Sequence, residues 1–228
     1  MDRVLCVIPA RGNSKGIPRK NMRDLNGYPL VYHSIRAAVE ARNIDRVVVS
    51  TEDAEIAEYS MSVGAEVPFV RDERLSRDEV HSVHVVIDAI ENMERLNFHP
   101  TTVVMKLPTC PLVTSLHLDE AIGLYDSKIM DSVISVCAFD KPVTALRRIV
   151  NGRIEPIIVA ENYNIQRQDH QSYVVNAAIY VSNPYTLREK ETFHCETVHP
   201  YIMEQECSID INSELDFDIA SKIMSHTR

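Results

Sequence analysis

Apolar and polar positions along the chain follow two rhythms. Near-continuous apolar runs at residues 3–9, 45–50, 101–107 and 132–139 suit strands buried on both faces. Between them lie stretches with apolar residues at helical spacing. The clearest covers 79–96, where Val80, Val83, Ile87 and Ile90 share a face. Helices are also expected at 29–42, with Pro29 in the first turn, and at 114–127. Asp53 can cap a helix running to about residue 63, and Gly64 can end it. A short strand is expected at 66–70. This alternation implies an α/β fold, a mostly parallel central sheet flanked by helices with right-handed crossovers.

After residue 140 the pattern changes. Residues 147–150 and 153–158 flank Asn151 and Gly152, the signature of a tight hairpin. The stretch 140–173 therefore reads as an excursion from the main sheet, and 173–182 as the strand that returns to it. Residues 208–211 read as short and extended. Ser213, with Asp216 three residues on, resembles a capping box that opens a last helix. Without repeats, low-complexity tracts or long linkers, residues 1–228 are expected to form one domain.

Composition narrows the function classes. No apolar run approaches the ~18 residues of a membrane span, and the N-terminal run is too short for a signal peptide. A cytoplasmic protein without membrane partners is expected. The five cysteines are odd in number and lack C-x-x-C spacing, which argues against a disulfide framework or a zinc knuckle. Nine histidines show no metal-ligand spacing of the H-E-x-x-H kind. A net charge of −9 disfavours nucleic acid as a partner. One local reversal stands against it: Arg11, Lys15, Arg19, Lys20 and Arg23 cluster, as a site for an anionic ligand would require.

The cluster lies on the loop ARGNSKGIPRKN, residues 10–21, directly after the first strand. Ligands of open α/β sheets bind outside the carboxyl ends of strands. Gly12 and Gly16 permit close backbone approach, and Arg11, Lys15 and Lys20 can meet phosphate oxygens. Neither the Walker pattern nor the dinucleotide fingerprint is present, so a triphosphate held by a different loop is the parsimonious ligand. The acidic residues Asp210, Glu214, Asp216 and Asp218 either hold a metal or cap a helix. Capping accounts for Ser213 and Asp216 but not for Asp210. Cys110, within PTCPL, reads as a small turn residue rather than a nucleophile.

The segment IPARGNSKGIPRKN closely resembles the signature of the acylneuraminate cytidylyltransferases, also called CMP-sialic acid synthetases. The resemblance extends along nearly the whole chain, through VVVSTEDAEIAEYSMSVGAEV, PFVRDERLSRD, LPTCPLV, RQDHQSYVVNAAIYV and SIDINSELDFDIA. It implies a nucleotide-sugar-transferase fold, a homodimer built through the late excursion, and transfer of CMP from CTP to a sugar acid with Mg²⁺. It implies phosphate and ribose roles for Arg11, Gly12, Ser14, Lys15, Lys20 and Asn21, and cytosine reading by Arg71 and Ser82. Asp210 falls on the main metal position, with Asn212 where the family has a second aspartate. Arg167, Tyr180 and Leu107 fall on the acceptor side.

Departures from the family pattern cluster on that side. Leu107 stands where the family has glutamine, and Val113 and Val174 stand where it has arginines. Thr144 takes the place of a lysine near the hairpin. Each lost charged hydrogen bond is worth ~1.5–3 kcal/mol, so an acceptor other than N-acetylneuraminate is implied. A modified nonulosonic acid or a smaller carboxylate- or phosphonate-bearing molecule would fit. Two further readings stay open: a guanylyl- or other nucleotidyltransferase acting on an amino-sugar phosphate, and a nucleotide-binding relative without turnover.

Overall fold

The computed structural model describes residues 3–14, 16–141, 143–158 and 172–226. Its centre is a six-stranded sheet. The strands are β1 (Val4–Pro9), β4 (Arg46–Ser50), β5 (Thr102–Lys106), β6 (Ser132–Phe139), β9 (Ser172–Ser182) and β10 (Val198–Met203). Their order across the sheet is β10-β6-β9-β5-β1-β4. All run parallel except β9, which lies antiparallel between β6 and β5. Two short hairpins stand apart: β2 (Asp24–Leu25) with β3 (Tyr28–Pro29), and β7 (Arg147–Val150) with β8 (Arg153–Pro156).

The strand period of two decides which side chains face which helices. In β1, Val4, Cys6 and Ile8 join one core with residues of α1 (Leu30–Glu40), α2 (Ala54–Ser62) and α4 (Ser115–Leu124). Leu5 and Val7 point the other way, into a core with α3 (Ser82–Arg95) and α5 (Pro184–Lys190). Both faces of β1 are therefore dry, as its unbroken apolar run requires. A third, smaller core joins Ile17, Leu25 and Leu30 to Ile211, Phe217 and Ala220, and so docks α6 (Glu214–His226) beneath the loop after β1. Because β4 lies on one side of β1 and β5 on the other, the connections diverge there. A crevice opens at the carboxyl ends of these strands.

Most expected elements are present, with local reasons for their limits. Asp53 accepts the backbone N–H groups of Glu55 and Ile56 and caps α2, and Gly64 follows it at φ +102. Thr114 caps α4 in a box completed by His117. Helix α3 starts at Ser82, three residues later than the pattern alone suggests. Asn151 and Gly152 both have positive φ, as a two-residue hairpin turn demands. Two expectations need correction, and one stretch was not anticipated. Residues 66–70 form no strand and make one bridge, Glu66 to Val48. Residues 208–211 also form no strand: a 3-10 turn at Glu206–Ser208 runs into extended backbone, tied by Ile211 N–H donating to Thr109 O at 2.8 Å. Between 182 and 208, the edge strand β10 and helix α5 occupy a stretch whose pattern signalled neither.

Strand β9 carries a bulge. The pairing register with β6 shifts between Ile134 and Val136, and opposite it Ala177 adopts φ +58. The buried Asn176 holds the irregularity: its Oδ1 accepts from Ser135 Oγ at 2.6 Å, and its Nδ2 donates to Ser208 Oγ at 2.8 Å. A left-handed conformation costs a residue with a Cβ about 1 kcal/mol more than glycine. Ala177→Gly should therefore stabilise the fold by about that amount, read as a higher urea midpoint with an unchanged slope. A lower midpoint would show that the alanine methyl is needed for packing.

Candidate functional site

The loop after β1 is held from three sides. Ile17 is buried in the small core beneath it. Asn21 Nδ2 donates to Arg11 O at 2.9 Å and closes the loop on itself. On the third side, Glu52 and Asp53 follow β4. Glu52 accepts the Gly12 N–H at 2.7 Å, while Asp53 pairs with Arg19. A Cβ on Gly12 would lie 2.5 Å from Asp53 Oδ2, so the close approach that this glycine permits includes one to the protein's own carboxylate. A Cβ on Gly16 would meet Asn212 O at 3.0 Å, which brings the loop against the acidic segment.

Two cavities open at this loop and a third lies beyond them, and Leu107 lines all three. The first, about 260 Å³, has Arg11, Arg71, Asp78 and Ser82 in its wall. A second, about 140 Å³, holds Arg11, Ser14, Lys20, Asn21 and Thr109. The third, about 420 Å³, is walled by Val83, Met105, Tyr180 and Phe193, with His81 and His194 among its polar groups. Tyr180 packs its ring 5.3 Å from Phe193. Of the expected site residues, Arg11, Ser14, Lys20, Asn21, Arg71, Ser82, Leu107 and Tyr180 line these spaces, and Gly12 does not. Lys15 and Arg167 lie outside the described residues.

The cations are individually restrained. Arg11 NH1 donates to Asp78 Oδ1 at 2.6 Å, and both side chains are about one-third exposed (34% and 32%). Arg71 is only 4% exposed, and its guanidinium is paired with Glu52. Burial pushes the Glu52 carboxyl up, but hydrogen bonds from Arg71, the Gly12 N–H and Ser76 outweigh it and hold the carboxyl below its ordinary value. Lys20 Nζ donates to Ile211 O at 2.7 Å, linking the loop to the acidic segment. Burial lowers the pKa of Lys20, against an opposing pull from nearby Asp210.

The acidic run divides as its chemistry suggests. Asp216 accepts the N–H groups of Asn212 and Ser213 at 2.9 and 2.7 Å and caps α6. Asp210 takes no part in the cap. Its Oδ2 accepts from Asn212 Nδ2 at 2.8 Å, and its Oδ1 lies 4.0 Å from Cys110 Sγ. The single group of His, Cys and Glu close enough to share an ion among the described residues is His117, Glu204 and Cys207. His117 Nδ1 accepts the Thr114 N–H, which leaves the ring proton on Nε2, the nitrogen facing Glu204. That tautomer suits the capping box and opposes a metal.

Three features escaped the sequence reading. Glu52 and Asp53 are one acidic pair among many until the fold sets them against the loop. Lys106, inside an apolar strand, is fully buried: its Nζ donates to Ser34 Oγ at 3.1 Å and to Leu107 O and Cys110 O, each at 2.7 Å. It thereby fixes the turn that carries Leu107, and burial pushes its pKa down to about 8. The third concerns the altered acceptor-side positions. Leu107 faces the cavities, whereas Val113 is core and Val174 is an exposed residue of β9. Of these three departures only Leu107 bears on the described cavities.

Comparison with known proteins places this geometry. A family model described as Cytidylyltransferase matches residues 5–219. The chain is 30% identical over 225 residues to a CMP-N,N'-diacetyllegionaminic acid synthase of Legionella pneumophila, covering 97% of this chain and 96% of that protein. It is 32% identical over 216 residues to an N-acylneuraminate cytidylyltransferase of Streptococcus agalactiae, covering 93% of this chain but about half (51%) of that longer protein. Among solved structures, a CMP:2-keto-3-deoxy-manno-octonic acid synthetase complexed with CTP superposes over 100% of both chains with a TM-score of 0.74 at 13% identity, a likeness of fold. A loop of restrained cations at the sheet's switch point, matched along nearly its full length to such relatives, makes this chain a member of the cytidylyltransferase family.

Proposed function

We propose that the enzyme transfers CMP from CTP to a modified nonulosonic acid, a nine-carbon sugar acid of the sialic type, and releases pyrophosphate. The observation that carries this reading is the meeting of three cavities at Leu107, one walled by the cationic loop, one by Arg71 and Ser82, and one by apolar and aromatic side chains. In this reading Arg11, Gly12, Ser14, Lys15, Lys20 and Asn21 hold the triphosphate and ribose, and Arg71 and Ser82 read the cytosine. The acceptor's hydroxyl oxygen attacks the α-phosphorus and forms the new P–O bond. The bond from that phosphorus to the β-phosphate bridging oxygen breaks, and the hydroxyl proton passes to solvent. Such a displacement needs positioning and charge neutralisation rather than covalent help. Arg11 can exchange Asp78 for phosphate because both are partly exposed.

The acceptor would lie in the cavity of Tyr180 and Phe193, with Arg167 as its carboxylate partner by family resemblance. Leu107, Val83 and Met105 give that cavity an apolar wall. Such a wall favours acyl or deoxy substituents over hydroxyl groups, which would lose water there without a partner. All five cysteines are free, as in a reducing cytoplasm, and no described helix is long and apolar enough to cross a membrane.

A divalent ion fits the donor set. Among the described residues, the donors at the half-buried Asp210 carboxylate are the Asn212 amide and the Cys110 thiol, so acceptor capacity remains on it. Asp210 would hold Mg²⁺, with the Asn212 amide oxygen as a neutral second ligand after a flip of that amide. When bound, the ion would neutralise charge on the phosphates.

The late excursion supports a homodimer. Ile149 and Ile154 of the β7–β8 hairpin are 78% and 73% exposed, and Ile157, Tyr173, Val174 and Val175 are also exposed. A two-stranded hairpin is marginal alone in water, and an apolar one needs a cover. The second copy is the cover proposed.

Four outcomes are expected. With CTP, magnesium and a set of nonulosonic acids, pyrophosphate release should appear for at least one acid. Arg11→Ala should lower that rate by at least a hundredfold without loss of fold; a near-wild-type rate would remove Arg11 from the mechanism. Asp210→Ala should abolish activity even at high magnesium, while Asn212→Asp should lower the magnesium needed for half-maximal rate. Activity indifferent to a chelator would return the whole acidic run to capping. Sedimentation at micromolar concentration should show a dimer, and Ile149→Asp combined with Ile154→Asp should show a monomer. A wild-type monomer would leave the hairpin's exposure to another partner.

A further inference from the structure

We infer that Glu52 is a positioning residue for nucleotide selection, one that locks Arg71 to the phosphate loop so that the base and the triphosphate are bound in register. The inference rests on the proposed reading of Arg71 and Ser82 as the base-facing pair. Glu52 follows β4 at the end where the crevice opens. Its two oxygens divide the work. Oε1 accepts the Gly12 N–H of the phosphate loop at 2.7 Å. Oε2 accepts from Arg71 Nε at 3.2 Å, from Arg71 NH2, and from Ser76 Oγ at 2.7 Å. The backbone of Arg71 docks beside it, donating to Thr51 O at 3.0 Å. Both the side chain and the main chain of Arg71 are thus fastened to residues 51–52. Glu52 also grips the loop, through the Gly12 N–H.

A guanidinium is a planar fork with donors on two edges. With the Nε edge on Glu52, the NH1 side is the one left to project toward the cavity that Arg71 lines with Arg11 and Ser82. Neutralisation matters as much as direction. An unpaired arginine here would be drawn to the nearby polyphosphate. Held by a carboxylate and only 4% exposed, Arg71 is kept as a hydrogen-bond donor to an uncharged ring edge. Arg11 contrasts with it: its pair with Asp78 is about one-third exposed and exchangeable. Ser76 joins the two, since its hydroxyl donates to Glu52 while its carbonyl accepts from Arg11 NH1 at 3.5 Å.

Equilibrium binding of CTP and of UTP, each with magnesium, tests this without an acceptor. The two nucleotides differ at N3 and at the 4-substituent. Wild type should prefer CTP, and Arg71→Ala should erase most of that preference. Glu52→Ala should weaken CTP binding at least tenfold and reduce the CTP-to-UTP ratio to near that of Arg71→Ala. In its CTP-to-UTP ratio the double variant should match Arg71→Ala alone, because for base selection the two residues act as one unit. Glu52→Gln, which keeps one acceptor oxygen for the Gly12 N–H but turns the oxygen facing Arg71 and Ser76 into an amide donor and removes the charge, should fall between; it serves the same comparison if Glu52→Ala does not fold. A Glu52 variant that melts earlier yet keeps the wild-type ratio would overturn the inference and leave Glu52 a structural residue. If Arg71→Ala itself keeps the ratio, the base-reading assignment fails first, and the inference fails with it.

Discussion

The site is organised around one largely buried ion pair, Arg71 with Glu52. Removing a charge from water is costly unless a partner and further hydrogen bonds replace the lost solvent. Here Glu52 receives Arg71, Ser76 and the Gly12 N–H together, so the cost is met by a set of contacts that also fixes geometry. That set spans three separate segments: the loop after β1, the end of β4, and the stretch leading to α3.

The sheet supplies the place and the small third core supplies the hold. β1 is dry on both faces, so the chain leaving it emerges at a fixed point. The loop that follows would otherwise be free to spread its mutually repelling cations. Ile17 prevents this by burying itself with Ile211 and Phe217, and Lys20 adds a bond to Ile211 O. The same contacts bring Asp210, remote in sequence, beside the loop. Lys106 acts from below in the same sense. A fully buried ammonium with three oxygen acceptors makes the turn at residues 107–110 rigid, and that turn carries the leucine shared by all three cavities.

Leu107 marks where this chain's chemistry differs from the family signature. Val113 serves packing and Val174 belongs to the outer part of β9, so their replacement of arginine says little about the cavity described here. On the proposed reading, the acceptor would meet an apolar wall beside Tyr180 and Phe193 rather than a general loss of polar groups. The exposed isoleucines of the β7–β8 hairpin are a separate matter. They are among the most exposed large apolar side chains of the described residues.

Local rules sufficed for what local physics controls. Buried runs, helical spacing, the Asp53 and Ser213 caps and the turn at Asn151 and Gly152 each follow from interactions within a few residues, and all were legible. So were the loop's cations, because a basic cluster on an acidic chain needs no fold to be seen. The expected strand at 66–70 failed because strand formation needs a neighbour along its length, and only Glu66 finds one. Strand β10 was missed for the converse reason: its edge position tolerates polar residues and Pro200, so no alternation announces it. The roles of Glu52 and Lys106 were invisible because their partners lie far away in sequence. A carboxylate becomes a clamp, and a lysine a buried brace, only when β4 and β5 are laid on either side of β1. The sequence determined which chemical groups are available and which segments are strands or helices. Tertiary structure alone decided which charges meet, since pairing across a sheet depends on the order of strands rather than on their composition.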